Sequence, residues 1–250
     1  MDPKSLTRYL DEYFDVPAHP DYPGAMNGLQ VECRRDIGRV ALAVDACLYT
    51  IEEAASFQAD ILIVHHGLFW APITPLMGMQ YRRIAALIRA EVGLYSVHLP
   101  LDSHPEVGNN HVLCRRLGLQ PDGRWAAFEG HPVGVTGCSS ATVGEMLLRV
   151  ESTLGVQARL VGSPQAAASR IGIVTGAGSE HLREALELGL DLLITGEATH
   201  HSALLAEELG VHMILAGHYA TETVGIQELG THIEGRLGLS TVFIDHPTGL

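Results

Sequence analysis

Residues 39–63 and 170–194 carry the same pattern without a gap: Arg39-Val40 against Arg170-Ile171, Glu53-Ala54 against Glu184-Ala185, and Asp60-Ile61-Leu62-Ile63 against Asp191-Leu192-Leu193-Ile194, at a constant offset of 131. Self-similarity at a fixed offset is the mark of a repeated structural unit. It restricts the chain to two related α/β lobes facing a shared cleft that holds a site, expected at 1–127 and 128–250, with the C-terminal strand packing on the first lobe. The offset then falls to about 120, consistent with an extra loop in the first copy around Phe69-Trp70-Ala71-Pro72-Ile73-Thr74-Pro75-Leu76. The competing reading is two βαβ units of coincidental similarity.

Apolar runs and their flanking turn residues predict alternating elements. The first lobe reads as helix 5–13 capped by Ser5, strand 40–44, helix 50–57, strand 61–64, helix 81–90, strand 94–97 and helix 110–117. The second reads as strand 132–136, helix 142–154, strands 157–161 and 171–175, helix 180–188, strand 190–195, helix 203–208, strand 211–215, helix 221–237 and strand 241–244. Gln120-Pro121-Asp122-Gly123-Arg124 reads as the turn between the lobes.

Six side chains suited to divalent metals follow three of these strands: His65-His66, His98 with Asp102, and His218 with Glu222. Imidazole and carboxylate suit first-row divalent ions, and six such groups exceed what one tetrahedral zinc uses, so a two-metal centre is expected. Strand carboxyl ends are where open α/β sheets keep their sites. His65 and His66 are adjacent and should point to opposite sides of a strand, so Gly67 is expected to make a turn that brings both to the site. Pro100 argues for a loop between His98 and Asp102. His218 and Glu222 fit one helical face, where a surface ion pair is the ordinary alternative. The remaining histidines, such as His19, His131, His181, His212 and His232, read as surface or hydrogen-bonded residues. Glu197 stands at the repeat position of His66, and with His200 and His201 it is expected to line the opposite wall of the cleft.

The stretches VHHGLFW (64–70), VHLPLDSHPEVGNN (97–110), GHYATE (217–222) and NGLQV (27–31) resemble the YbgI-like dinuclear metal-centre family, also labelled GTP cyclohydrolase I type 2. The resemblance covers nearly the whole chain. It implies two similar α/β domains, a toroidal homohexamer, and metal ligands at His65, His66, His98, Asp102, His218 and Glu222, none of them substituted here. Asn27, Asn109 and Asn110 lie in the same motifs and are expected to orient ligands or bind loop backbone, while Gly28 is expected to serve a turn. The C-terminal Asp245-His246-Pro247 departs from the family's asparagine-proline ending.

A two-metal site offers hydrolysis, because paired ions lower the pKa of a shared water and polarise the bond attacked. The expectation is a metal-dependent hydrolase with a metal-bound hydroxide as nucleophile, Glu222 and Asp102 as bridging carboxylates, and Glu197 or His201 as proton-transfer groups. The family label would make the reaction opening and deformylation of the GTP imidazole ring. The alternatives are a metal-binding scaffold, sensor or metal-delivery protein without turnover, and a hydrolase of another substrate. Zinc, iron, manganese, cobalt and nickel all accept these ligands.

Composition narrows the partners. A net charge of −13 with 46% hydrophobic residues describes a core-forming chain that lacks the clustered cations nonspecific nucleic-acid binding requires. A small anionic or nucleotide substrate is still compatible with a cationic metal centre. No apolar run approaches the roughly 20 residues of a membrane span, and the N-terminus lacks a basic segment leading into an apolar one, so a cytoplasmic protein is expected. Cys33, Cys47, Cys114 and Cys138 form no CxxC pair and read as reduced thiols.

Overall fold

A computed structural model describes residues 1–70 and 75–250; the central part of the expected extra loop, Ala71-Pro72-Ile73-Thr74, lies outside the described residues. The chain forms two compact units, one of residues 1–107 with 226–246, the other of residues 108–225 with 247–250. Compactness thus divides the chain near residue 107, not between 127 and 128.

The first unit comprises α1 (Pro3–Tyr13), β1 (Gly28–Val31), β2 (Arg39–Asp45), α2 (Leu48–Ser56), β3 (Ile61–His66), α3 (Gly78–Ala90), β4 (Gly93–Ser96) and the single turn α4 (Leu99–Asp102). The second comprises α5 (Asn109–Arg116), β5 (Pro121–Phe128), β6 (His131–Cys138), α6 (Val143–Leu154), β7 (Arg159–Val161), β8 (Arg170–Val174), a 3-10 turn at Gly178–His181, α7 (Leu182–Glu187), β9 (Leu192–Thr195), α8 (His200–Leu209) and β10 (His212–Leu215). The chain then runs through α9 (His218–Leu237) to β11 (Ser240–Phe243).

In the first unit the sheet order is β1-β4-β3-β2-β11, with β4, β3, β2 and β11 mutually parallel and β1 antiparallel at the edge. Strands covered on both faces read as continuous apolar runs. That is the case for Ile61-Leu62-Ile63-Val64, all four buried, with Leu62 and Val64 in a core with Ala41, Ile51, Leu87 and Leu94.

In the second unit the order is β5-β6-β8-β9-β10-β7, parallel through β8, β9 and β10 and antiparallel elsewhere. Trp125 is buried, donates from Nε1 to the Val135 carbonyl at 3.0 Å, and covers Gly172, whose added Cβ would stand 2.4 Å from the indole. The same backbone pins recur in both units at positions 131 apart. Asp60 Oδ2 accepts from the N–H groups of Gly38 and Arg39, and Asp191 Oδ2 accepts from those of Ser169 and Arg170. Arg39 donates to the Phe57 carbonyl as Arg170 does to that of Leu188.

Several local expectations are corrected. The cap of α1 is Asp2, whose carboxylate accepts from the Ser5 N–H, with Pro3 opening the helix where its missing N–H is harmless. The segment read as an inter-lobe turn starts β5, which pairs antiparallel with β6. Pro100 sits inside the first turn of a short helix instead of a loop, a position proline tolerates. Among the described residues no helix is long and apolar enough to cross a membrane, and all four cysteines are free thiols.

Candidate metal centre

His65 and His66 are the last residues of β3, and they reach one place without a turn at Gly67. The neighbouring strands explain how. The His65 ring leans toward β4, its Nδ1 3.0 Å from the carbonyl of Val97, whereas His66 leans toward β2, its Nδ1 2.9 Å from Asp45 Oδ1. Asp45 is the register partner of His66 across the β2–β3 ladder. Gly67 serves a close approach instead, because a Cβ there would lie 2.3 Å from the Gln30 amide. That amide fixes the following loop by accepting from Leu68 N–H at 2.8 Å and donating to the Met26 carbonyl at 2.7 Å.

His98 precedes α4. Its Nδ1 lies 2.8 Å from Asp21 Oδ1, and its backbone N–H donates to Asn27 Oδ1 at 2.7 Å. Asn27 Nδ2 in turn donates to Asp21 Oδ2 at 2.8 Å, joined there by the Leu99 N–H at 3.0 Å. Burial by itself would raise the Asp21 pKa, but the hydrogen bond and charge of His98, with donation from Asn27 and the Tyr22 N–H, outweigh it and hold the carboxyl below its usual range. One donor atom from each of His65, His66 and His98 lies within 4.8 Å of the others. Three atoms bound to one ion at about 2.1 Å are at most about 4.2 Å apart, so small ring rotations suffice to share an ion. Asp102, buried on α4, reaches to 3.6 Å from His65 Nε2.

In the second unit His218 and Glu222 occupy one face of the first turns of α9, Nε2 to Oε1 3.2 Å, and Glu197 Oε1 lies 3.0 Å from His218 Nδ1. The hydrogen bond to Glu222, with its charge and the bond to Glu197, outweighs burial and lifts the His218 pKa to about 9. A strong pull on a proton is equally a pull on a metal cation. Two glycines leave room for the pair: a Cβ at Gly176, which has φ +65°, would lie 2.3 Å from Glu222 Oε1, and one at Gly196 would lie 2.7 Å from His218 Cα. His201 is exposed on the first turn of α8.

The donor set fits divalent metals on an observation independent of residue type. Each of the four histidines turns Nδ1 to an oxygen that can only accept: the Val97 carbonyl, Asp45, Asp21 and Glu197. For His65, His66 and His98 this places the proton on Nδ1 and turns Nε2 toward the position of an ion, the usual arrangement behind metal-bound imidazole; His218, held as an imidazolium between Glu197 and Glu222, would release its Nε2 proton on binding one. Asp21 and Asp45 were not predicted. Asn27 accepts from the His98 backbone N–H and donates to Asp21, while Asn109 accepts from the Gly225 N–H and Asn110 bridges Thr175 N–H and the Val133 carbonyl.

The Duf34/NIF3 (NGG1p interacting factor 3) family model matches residues 1–248. A Pyrococcus abyssi protein named GTP cyclohydrolase 1 type 2 homolog is 40% identical over 255 aligned positions, covering all of both chains. A Deinococcus radiodurans protein of the same name is 40% identical over 98% of this chain and 93% of its own. Among solved structures, protein ybgI, described as of unknown function, superposes with a TM-score of 0.92 at 33% identity over the full length of both. A Thermus thermophilus protein gives 0.86 at 38% identity, again over both full chains. With the match running essentially from end to end, this chain belongs to the Duf34/NIF3 family.

Proposed function

We propose that this protein is a metal-dependent hydrolase in which two divalent ions are held by His65, His66, His98, Asp102, His218 and Glu222. The observation that carries the reading is the shared hydrogen-bonding of the four imidazoles, each held through Nδ1 by an oxygen acceptor, the orientation that presents Nε2 to an ion. When bound, divalent ions supply Lewis acidity and lower the pKa of a coordinated water.

The protein's own groups do the rest. Asp21, Asp45 and Glu197 orient the rings and set a negative charge behind each of them. Glu222 and Asp102, each with two carboxylate oxygens, are the bridging candidates. Glu197 is half-exposed, so the carboxylate that orients His218 can also exchange protons with bulk water; His201 is the second proton-transfer candidate. The naming of relatives as GTP cyclohydrolase 1 type 2 homologs makes GTP the first substrate to assay, and the family resemblance supports a homohexamer, which light scattering checks.

The test is metal content per chain and GTP turnover in the wild type, His98→Ala and Glu222→Gln. About two metals in the wild type, fewer in both variants, and turnover lost in parallel are expected. Two metals without turnover on any substrate would favour a scaffold or metal-delivery protein, and no metal would overturn the site.

A further inference from the structure

Behind His98, within the first unit, lies a cavity of about 1010 Å³. It shares its walls with the metal ligands' supports. Asp21 and Asn27, which hold His98, line it, as does Trp70, whose ring stands edge-on to His98 at 4.8 Å and to His66 at 5.7 Å. Trp70 is 37% exposed and its Nε1 donates to the Gly67 carbonyl at 2.8 Å, so the indole has a fixed orientation and an accessible surface. Phe69, Met26 and Met79 add apolar and polarizable surface around it. A concave, mostly apolar site with a few fixed polar groups is the usual form of a small-molecule pocket, and an aromatic wall with methionines favours a flat ring.

Charge decides which flat ring. Among the described residues that line the cavity there is no lysine or arginine, and the one carboxylate is Asp21. The described segments that carry its lining residues, 14–33, 65–70 and 75–81, contain neither cation at any position, and the whole chain has a single lysine, Lys4. A polyphosphate entering here would lose its hydration with no guanidinium or ammonium to replace it.

We infer that this cavity binds the planar heteroaromatic ring of an uncharged or cationic substrate, stacked on Trp70, and that it does not accommodate a polyphosphate. The inference rests on the hydrolase reading for the word substrate and refines its substrate class: the reactive ring is presented from an apolar pocket, and any phosphate group must lie outside it. Of the two lining amides, Asn27 is engaged by His98 and Asp21, and Gln80, whose Nε2 donates to the Leu68 carbonyl at 3.1 Å, is the one placed to accept from a ring edge through Oε1.

The test uses chelator-treated full-length protein at physiological salt, with proflavine, guanosine and GTP as probes and tryptophan fluorescence as the signal. Trp125 is buried at 2% exposure, so quenching by a bound ring reports mainly Trp70. We expect one proflavine per chain, guanosine binding at least tenfold tighter than GTP, and Trp70→Ala weakening proflavine at least tenfold by calorimetry. Met79→Lys, at a helix position 56% exposed where the fold tolerates it, should weaken proflavine and improve GTP relative to guanosine. GTP binding as tightly as guanosine, neither ring binding, or both variants binding like the wild type would overturn the proposal. Because metal is absent throughout, these outcomes are independent of metal content and turnover, and a failed hydrolase assay leaves them intact.

Discussion

Asp21 and Asp45 perform the same task on two histidines in different surroundings, and the difference sets a quantitative expectation. Asp21 is 5% exposed and accepts four hydrogen bonds: His98 Nδ1 and Tyr22 N–H on Oδ1, and Asn27 Nδ2 and Leu99 N–H on Oδ2. In Asp21→Asn one oxygen becomes an NH2 group that faces two donors. Asn27 cannot flip to accept from it without giving up the His98 N–H. Hydrogen bonds to a charged group contribute about 1.5–3 kcal/mol each, so the variant should lose about 2–4 kcal/mol of stability after partial relaxation. Loss of an orienting carboxylate typically lowers metal affinity about 10–100-fold, and the upper part of that range is expected here.

Asp45 is 40% exposed, and water can replace its bond to His66, so Asp45→Asn should weaken metal binding by less than about tenfold and change stability by less than about 1 kcal/mol. Zinc titration against a competing chelator, with urea unfolding of the metal-free proteins, measures both quantities. Equal effects of the two variants, or no effect of Asp21→Asn on zinc affinity, would refute the reasoning.

Further outcomes follow from packing and charge. Gly172→Ala, which drives a methyl into Trp125 and Leu190, should destabilise by about 1–3 kcal/mol, while Gly235→Ala in α9, with open space around it, should stabilise by about 0.5–1 kcal/mol; thermal unfolding distinguishes them. Gly176→Ala should displace Glu222 and reduce bound metal per chain with the overall circular dichroism spectrum preserved. His104 and His232 both have pKa values lowered by burial from the ordinary 6.5. A depressed histidine pKa favours the neutral form in the fold, so the contribution of these two histidines to stability should be complete above about pH 6.5 and decline as pH falls below it. Urea midpoints at pH 7.5 and 5.5 should differ less in His232→Gln, which removes the ring bonded by Tyr9 at 2.6 Å and stacked on Tyr13, than in the wild type.

The α/β pattern of strands and the grouping of metal-suited side chains could be read along the chain because they depend on local order. Apolar runs mark strands buried on both faces, and the imidazoles and carboxylates suited to a metal cluster within a few residues of a strand end. Even so, capping and edge pairing escaped: Asp2 displaced Ser5, and Pro121 to Phe128 became a strand through its partner β6. What only the tertiary structure decided is which groups hold the imidazoles. Asp21 lies 77 positions from His98, and Asp45 lies 21 from His66 and meets it through the β2–β3 register. Neither aspartate carries a local mark separating it from other acidic residues. An imidazole as a metal donor is a property of its own chemistry and is written in the sequence. Its tautomer and direction are set by an acceptor that arrives only when sheet and loop close around it.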